Sequence, residues 1–317
     1  MLTLRGVGHM PMYDDPDLVA RTILELTRKT DDDHHWRIDA SMINASDIEL
    51  DGTRGRLVVR RWADEEPRHL VLLAHGYGEH SGRYEHVARA LAEAGAAVYA
   101  PDHLGHGRSE GEQASIHDLS DVVHDLALVH ARARESHSDL PLVLIGHSMG
   151  GIIATLFVQT QDVPVNALVL SGPVVGGNPQ LIGLLELDPI PEVPIDPAML
   201  SRDPAVGAAY AEDPLVYHGA FRRETLQAFA AAVEQIASGP DFGDLPVLWI
   251  HGEEDPLAPL DVTRPVVERL ARGEQVQYVV YPGARHEVFN ETNRDEVIEV
   301  VTTFIDSVLA SGLSRRA

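Results

Sequence analysis

The sequence predicts an α/β fold in which a mostly parallel sheet carries helices on both faces. Short apolar runs alternate with helical patterns from about residue 47 onward. The runs are continuous rather than alternating, as expected for strands that are covered on both faces. The segments between them have helical spacing: Leu119–Ala133 carries Val122, Val123, Leu126 and Val129 on one face. In chain order the predicted strands are Arg56–Trp62, Leu70–His75, Ala96–Ala100, Leu142–Ile145, Ala167–Leu170, Val247–His251 and Val276–Tyr281. The predicted helices are Tyr84–Glu93, Leu119–Ala133, a helix running from Ile152 to Gln159, Glu224–Ala237, Val262–Arg272 and Glu296–Leu309.

A Gly-x-Ser-x-Gly segment lies between one of these strands and the next helix. Gly146, Ser148 and Gly150 follow the apolar run Leu142–Ile145 directly. Between a strand and a helix, this motif predicts a nucleophile elbow, a turn so sharp that small residues must flank the serine. An ordinary Gly-Ser turn is the alternative, because short patterns of this kind also occur by chance in loops. We expect the Ser148 hydroxyl to lie exposed above the sheet.

The alternation is interrupted between about Gly172 and Arg222. This segment is rich in proline but also carries an apolar cluster from Leu181 to Ile195. It is too apolar for a solvated linker and too rich in proline for one long helix. Ligands bind at the carboxyl edge of open α/β sheets, so we expect an inserted lid over about residues 173–221. A purely structural excursion is the alternative.

Composition excludes several classes of function. The chain has 317 residues, enough for a large core, and its formal net charge of −24 opposes binding to nucleic acid and to anionic membrane patches. It has no cysteine, which excludes disulfides, thiolate metal sites and cysteine catalysis. Residues 1–30 show no secretory signal and no apolar run approaches the ~20 residues that span a bilayer. We therefore expect a cytoplasmic protein.

The first 41 residues stand apart from the alternating pattern. Gly6–His9 and the amphipathic segment after it resemble Gly283–His286 and its following helix. Because no elbow or acid precedes His9, we do not expect this histidine to be catalytic. We interpret residues 1–41 as an N-terminal extension, either a fused remnant or a misassigned start, with Met42 opening the main domain 42–317. Asp31–His35 contains residues of metal-ligand type, but a solvated polar linker is the favoured interpretation.

A serine nucleophile needs a base and an orienting carboxylate. In folds with this elbow the chain order is serine, acid, histidine. Asp255 lies in the turn after the predicted strand Val247–His251, and His286 follows the next strand in the same way. Because parallel strands end at one sheet edge, Ser148, Asp255 and His286 satisfy order and position together. Asp255 is preferred as the acid because a proline follows it where the loop turns back. The competing carboxylates in the same turn are Glu253 and Glu254.

Two backbone amides are expected to receive the oxyanion of the tetrahedral intermediate. One belongs to Met149, directly after the nucleophile. The other belongs to Tyr77, in a loop where Gly76 and Gly78 let the main chain bend. Each such donor is worth roughly 3 kcal/mol of transition-state stabilisation. Glycine-rich loops also bind phosphates, but this loop lacks the Lys and Ser/Thr of a nucleotide-binding loop.

Three motifs occur in order: HGYGEHSGRY at residues 75–84, DHLGHGRSEG at 102–111 and GHSMGG at 146–151. Together they resemble the monoacylglycerol lipases, a lysophospholipase-like group of α/β-hydrolases, and the resemblance runs from about Ile48 to Leu309. It implies an α/β-hydrolase fold with a lid, and hydrolysis of a carboxylic ester through an acyl-serine without metal or organic cofactor. It also implies a small lipid ester as substrate and a lid that docks transiently on membranes, hence a protein peripheral to the membrane.

The same resemblance implies that Glu79, Arg83 and Tyr210 hold a glycerol head group. From the residues alone, a buried ion pair between Glu79 and Arg83 that braces the loop is an equal alternative. The chain departs from the pattern at two positions. Phe289 stands where some relatives carry a head-group histidine, and Tyr77 stands where a small residue is common.

The triad also serves other reactions, so alternatives remain open. Broad-specificity carboxylesterases, lysophospholipases, cofactor-free perhydrolases and aminopeptidases all use it. An aminopeptidase would need an acidic pocket for a free amine, a role that Glu79 could imitate. A non-catalytic binding protein on a hydrolase scaffold usually loses a triad member, and none is missing here.

Overall fold

Eight strands form one sheet in the computed structural model, which describes residue 43 and residues 45–63, 66–192, 194–272 and 276–314. The strands are β1 (Ala45–Asp51), β2 (Arg56–Trp62), β3 (His69–Ala74), β4 (Ala96–Pro101), β5 (Leu142–His147), β6 (Ala167–Ser171), β7 (Val247–Gly252) and β8 (Val276–Tyr281). Their order across the sheet is β1-β2-β4-β3-β5-β6-β7-β8. The β1–β2 and β2–β4 pairs are antiparallel, and every other neighbouring pair is parallel. The predicted mostly parallel α/β sheet is confirmed.

Helices cover both faces of this sheet. In the described ranges they are α1 (Glu85–Glu93), α2 (Leu119–Ser136), α3 (Met149–Thr160), α4 (Pro179–Gly183), α5 (Pro204–Glu212), α6 (Arg223–Ser238), α7 (Leu260–Leu270) and α8 (Arg294–Ser314). Buried residues of α1 and α8 pack on one face, and those of α2, α3, α6 and α7 pack on the other. The sheet therefore separates two hydrophobic cores.

The residues of β5 show why its apolar run is continuous. Leu142 and Leu144 pack into one core, whereas Val143 and Ile145 pack into the other. All four are buried. Because successive side chains of a strand point to opposite faces, a strand with a core on each side needs apolar residues at every position.

The carboxyl ends of β3 and β5 create a crevice. After β3 the chain forms β4 on one side, and β5 then pairs with β3 on the other. Because the chain reverses direction across the sheet here, the loops that follow β3 and β5 run to opposite sides and leave a gap between them. Open α/β sheets bind their ligands in such a gap. Tyr77 follows β3 and Ser148 follows β5, so both lie at this crevice.

Two local differences from the prediction have physical reasons. The edge strand β1 was not predicted, because its residues are mostly exposed and it has no apolar run. Helix α3 begins at Met149, three residues before the predicted Ile152. Gly150 and Gly151 are poor helix formers, but the close packing of the elbow requires residues without a side chain at these positions.

The segment between β6 and α6 contains two short helices that the sequence analysis did not specify. Both begin with proline, Pro179 in α4 and Pro204 in α5. The preceding Asn178 and Asp203 each accept a hydrogen bond from a main-chain N–H of the first turn. Proline is tolerated at the first helical position, where its missing N–H would have no partner. The prolines of this segment therefore start helices as well as interrupt them.

The proposed N-terminal extension, including His9 and Asp31–His35, lies outside the described residues. Among the helices that the structure describes, none combines the length and the apolar character needed to cross a bilayer.

Candidate active site

Ser148 lies at the sharp turn between β5 and α3. Its backbone has φ 55° and ψ −116°, an unusual conformation for a residue with a side chain. A Cβ on Gly146 would lie 2.2 Å from the carbonyl oxygen of Gly150, and one on Gly150 would lie 2.0 Å from that of Ala74. The two glycines therefore allow β3, β5 and α3 to approach closely enough for the turn to form. This geometry is that of a nucleophile elbow.

Replacing Gly150 by alanine is expected to lower the free energy of unfolding by about 3 kcal/mol, the upper end of overpacking costs. The new Cβ would meet main-chain oxygens of Ala74 and His75, which cannot rotate away. The matched control is Gly183→Ala, since a Cβ at Gly183 would meet nothing within 4 Å. Urea unfolding of both variants measures the difference. Equal stability of the two would contradict the close packing at the elbow.

Asp255 and His286 are brought together at the same edge. His286 Nδ1–H donates to Asp255 Oδ2 at 2.8 Å, and both side chains are buried. The other oxygen, Asp255 Oδ1, accepts the main-chain N–H groups of Leu257 and Ala258, each at 2.9 Å. These contacts hold the carboxylate in one orientation toward the imidazole. The competing carboxylates of the same turn, Glu253 and Glu254, are both exposed.

The pKa values of the pair shift in opposite directions. Burial alone would raise the pKa of Asp255, but the interaction with His286 outweighs it and the pKa lies below 3.8. Burial alone would lower the pKa of His286, but the Asp255 charge and hydrogen bond, with smaller contributions from Glu287 and Glu79, hold it above 6.5. This is the electrostatic arrangement of a base whose imidazolium form is stabilised by a carboxylate.

His251 lies beneath Asp255 and was not singled out from the sequence. Trp249 Nε1–H donates to His251 Nδ1 at 3.1 Å, so His251 Nε2 carries the proton and donates to the carbonyl of Ala258 at 2.8 Å. Burial lowers the pKa of His251, which favours its neutral form. The same Nε2 lies 3.5 Å from Asp255 Oδ2. His251 therefore helps to fix the turn that carries Asp255.

The main-chain amides of Met149 and Tyr77 are the predicted oxyanion donors. Met149 opens α3, where first-turn N–H groups have no helical partner. Tyr77 lies in the loop after β3. Neither its N–H nor that of Met149 has a hydrogen-bond partner among the described residues.

His75 fixes the orientation of the peptide group between Gly76 and Tyr77 through a hydrogen bond. His103 donates its main-chain N–H to His75 Nε2 at 3.0 Å, so His75 Nδ1–H donates to the carbonyl of Gly76 at 2.7 Å. In a trans peptide the carbonyl and the following N–H point in opposite directions. The contact that fixes the Gly76 carbonyl therefore also fixes the direction of the Tyr77 N–H.

The three residues implied as a head-group site lie in one buried cluster. Arg83 Nη1 donates to Glu79 Oε2 at 2.6 Å, and the Arg83 guanidinium lies 5.0 Å from the ring centre of Tyr210. Glu79 Oε1 also accepts the Gly76 N–H and the Tyr84 hydroxyl, each at 2.7 Å. The cluster therefore contains the predicted ion pair between Glu79 and Arg83 that would brace the loop. The cluster also reaches the pocket, because Glu79 and Tyr210 line the pocket wall.

Glu287 joins this cluster and was missed in the sequence analysis. Its carboxylate accepts two hydrogen bonds from Arg83, at 2.6 and 2.8 Å, and a third from Asn290 at 2.9 Å. The one sequence feature that could have drawn attention to Glu287 is its position directly after His286.

Electrostatics keep the ion pair charged. Burial alone would raise the pKa of Glu79, but Arg83 and the neighbouring histidines lower it to about 2. Burial alone would lower the pKa of Arg83, but Glu287 and Glu79 raise it. Burial raises the pKa of Tyr210, so its phenol stays protonated at neutral pH. No hydrogen-bond partner of that hydroxyl occurs among the described residues, which leaves it available to a ligand.

A pocket at Ser148 is lined by polar and apolar side chains. Glu79, Glu287 and Tyr210 lie together around Arg83 and form its polar end, and His147 and His286 also line it. The apolar lining consists of Val174, Leu181, Ile195, Leu200, Phe221, Phe229 and Leu257. Residues 173–221 supply much of the wall, which agrees with a lid over the site. The arrangement suits a molecule with one apolar chain and one polar group.

His147 packs beside the pair formed by Asp255 and His286. Its ring lies 4.8 Å from that of His286, and its Nδ1 contacts the Ser171 carbonyl and hydroxyl, each at 3.1 Å. Burial lowers the pKa of His147 to about 4, so the ring is neutral at pH 7. The described residues contain no cluster of three or more histidines and carboxylates arranged to hold a metal ion.

Comparison with known proteins places the chain among serine hydrolases. The family profile described as "Serine aminopeptidase, S33" matches residues 65–293. The monoacylglycerol lipase of Mycolicibacterium smegmatis is 40% identical over 264 residues, which are 80% of this chain and 94% of that protein. The human monoglyceride lipase is 32% identical over 71% of this chain and 77% of its own length.

Solved structures agree with these relatives. The monoacylglycerol lipase of Paleococcus ferrophilus superimposes with a TM-score of 0.68 at 27% identity, covering 80% of this chain and 99% of that one. A thermostable carboxyl esterase from Bacillus coagulans, solved in complex with glycerol, superimposes with a TM-score of 0.70 at 25% identity, covering 84% and 99%. Both structures therefore share the fold over most of this chain.

Proposed function

Because this chain belongs to the serine aminopeptidase S33 family, we propose that it is a serine hydrolase that cleaves the carboxylic ester of monoacylglycerols into fatty acid and glycerol. The observation that carries the proposal is the 2.8 Å hydrogen bond between His286 and Asp255 at the sheet edge that also bears the Ser148 elbow. The pocket above Ser148 adds an apolar wall for one acyl chain and a polar end for a small head group.

The reaction proceeds in two halves. His286 Nε2 accepts the Ser148 proton as the serine oxygen attacks the ester carbon, and the N–H groups of Tyr77 and Met149 stabilise the oxyanion. His286 then donates that proton to the leaving glycerol oxygen, which leaves an acyl-serine. In the second half His286 activates a water molecule that releases the fatty acid. Asp255 holds the imidazole tautomer throughout and stabilises its charged form. No metal or organic cofactor takes part in these steps.

The polar end is proposed to hold the glycerol. The Tyr210 hydroxyl can donate to a glycerol oxygen, and the Glu79 carboxylate can accept from a glycerol hydroxyl. Arg83 supports this arrangement through its contacts with Glu79 and with the ring of Tyr210. Phe289 is buried against Tyr84 and supplies no polar group to the head group. Recognition therefore depends on fewer side chains than in relatives with a histidine at that position.

Residues 173–221 are proposed to act as a lid that touches a lipid surface transiently. Leu187 and Met199 are the large apolar side chains most exposed in the described part of the chain, at 44% and 40%. Sedimentation with neutral phosphatidylcholine vesicles tests this contact. The double variant Leu187→Ser, Met199→Ser should sediment less than the unmodified protein, and equal sedimentation would contradict the lid contact.

Fatty-acid release from a graded set of esters tests the proposed function. The set contains monoacylglycerols of several chain lengths, a diacylglycerol, a triacylglycerol, a lysophospholipid and a simple alkyl ester. We expect the highest kcat/KM for monoacylglycerol. Equal rates on the alkyl ester would instead assign a general carboxylesterase, the activity named for the Bacillus coagulans neighbour. A preference for lysophospholipid would assign a lysophospholipase.

A further inference from the structure

We propose that Glu287 gives the polar end of the pocket an excess negative charge, which admits neutral and cationic leaving groups and rejects anionic ones. This inference rests on the proposed function, because it concerns the leaving-group side of the same ester. It assigns Glu287 as a residue that determines specificity by charge.

The excess follows from the contacts of Arg83. One guanidinium faces two carboxylates, those of Glu79 and Glu287, at 2.6 to 2.8 Å. Both carboxylates line the pocket and are nearly inaccessible to solvent, with side-chain exposures of 4% and 5%. The cluster therefore carries two negative charges and one positive charge in a buried place.

Hydrogen bonds fix the positions of both carboxylates. Glu287 accepts three: two from Arg83 and one from Asn290. Glu79 also accepts three: from Arg83, from the Gly76 N–H and from the Tyr84 hydroxyl. The two carboxylates therefore share the single guanidinium of Arg83, and their other partners are neutral donors.

The lining residues offer no counter-charge to an anion. They include neither lysine nor arginine. Both Nη atoms of Arg83 already bind carboxylates. His147 is neutral at pH 7, because burial lowers its pKa to about 4, and His286 is paired with Asp255. An anionic group entering this end would meet only like charge, and charges interact more strongly there than in water because the site is buried.

This charge acts on the leaving-group side because Glu287 shares Arg83 with Glu79, which the proposed function assigns to the glycerol. The proposed function places the acyl chain against the apolar lining of the pocket. The charge should therefore act on the alcohol part of the ester and leave the choice of acyl chain unaffected. The hydroxyl groups of a neutral polyol can donate hydrogen bonds to the carboxylates. A cationic alcohol is attracted to them by its opposite charge.

Two matched substrate pairs test the proposal on the unmodified protein. The first pair is octanoylcholine and 3,3-dimethylbutyl octanoate, which have nearly the same shape but differ by one positive charge. The second is monooctanoylglycerol and its phosphate monoester, which differ by an added anion. We expect kcat/KM to be about 10-fold higher for the choline ester in the first pair and about 100-fold lower for the phosphate in the second. Equal values within both pairs would overturn the proposal.

The variant Glu287→Gln assigns the effect to this residue. It removes one negative charge and keeps the shape, so the ratio of kcat/KM for phosphate to neutral ester should rise about 10-fold. The matched control is Glu212→Gln, which removes the same charge from an exposed residue of α5 and should leave the ratio as it is. A general loss of activity cancels in the ratio, and an unchanged ratio in Glu287→Gln would overturn the assignment. If the variant does not fold, the two pairs on the unmodified protein still test whether the pocket discriminates by charge.

The formal net charge of −24 also repels anions, and salt separates the two causes. The screening length falls from about 10 Å at 0.1 M to about 3 Å at 1 M, which weakens surface effects far more than buried ones. Discrimination that survives 1 M NaCl supports the buried charge, and discrimination that disappears overturns it. Turnover of p-nitrophenyl octanoate is measured alongside. If that ester and monooctanoylglycerol are both resistant, the proposed function fails; if both are cleaved without charge discrimination, only this inference fails.

Discussion

Ser148→Ala is expected to lower ester hydrolysis by about a millionfold, the loss measured when another serine hydrolase lost its nucleophile. In the proposed reaction Ser148 Oγ forms the acyl intermediate, and the oxyanion donors that remain cannot replace it. The fold should be unaffected, because alanine keeps the Cβ and removes one oxygen from a half-buried residue. Fatty-acid release from a monoacylglycerol and urea unfolding of the same preparation measure the two effects separately.

The variant Ser148→Gly is the matched control for the strained backbone. It removes the same hydroxyl and should be equally inactive. Because glycine adopts the φ of 55° without steric cost, it should also be more stable than the alanine variant by about 1 kcal/mol. Substantial esterase activity in the alanine variant would mean that another residue is the nucleophile.

The fold was largely predictable because its evidence is local. Each central strand is a continuous apolar run that can be recognised in the sequence. The elbow requires glycine on both sides of the serine, and Gly146 and Gly150 stand at these positions. Edge strand β1 was not predicted, because a strand at an exposed edge does not need apolar residues and β1 has no apolar run. The helices of the insertion were not predicted because proline is typical of a break in a helix. In α4 and α5 the prolines instead occupy the first helical position.

The candidate site was predictable only in part. Ser148, Asp255 and His286 were predictable because they occur in the expected chain order and each follows a predicted strand that ends at the same sheet edge. The contact of Arg83 with Glu287 joins residues 204 apart in sequence, and no spacing rule relates them. His251 likewise acquires its role from a turn that brings it under Asp255. Side chains that act through partners distant in the chain become visible only when the fold is known.

Asp255→Asn is expected to lower kcat by about 10,000-fold, the loss found for this change in another serine hydrolase triad. The carboxylate accepts the Nδ1–H of His286, and an asparagine oriented by the same loop contacts would present its amide N–H₂ to the ring. That contact favours the wrong imidazole tautomer, with the proton on Nε2, which then cannot accept the proton of Ser148. Single-turnover acylation by p-nitrophenyl octanoate measures this step directly. Asp255→Glu should retain more activity than Asp255→Asn, because it keeps the charge.

The pH profile of the same variant gives a second, independent expectation. In the unmodified protein the pKa of His286 lies above 6.5, and only the neutral imidazole can act as a base. The rate should therefore rise with pH through a midpoint above 6.5. Asparagine removes the charge that raises this pKa, so the midpoint of the residual activity should move to lower pH. The control Glu254→Gln removes one charge from an exposed neighbour in the same turn and should change neither kcat nor the midpoint. If Glu254→Gln shows the loss and Asp255→Asn does not, then Glu254 is the acid of the triad.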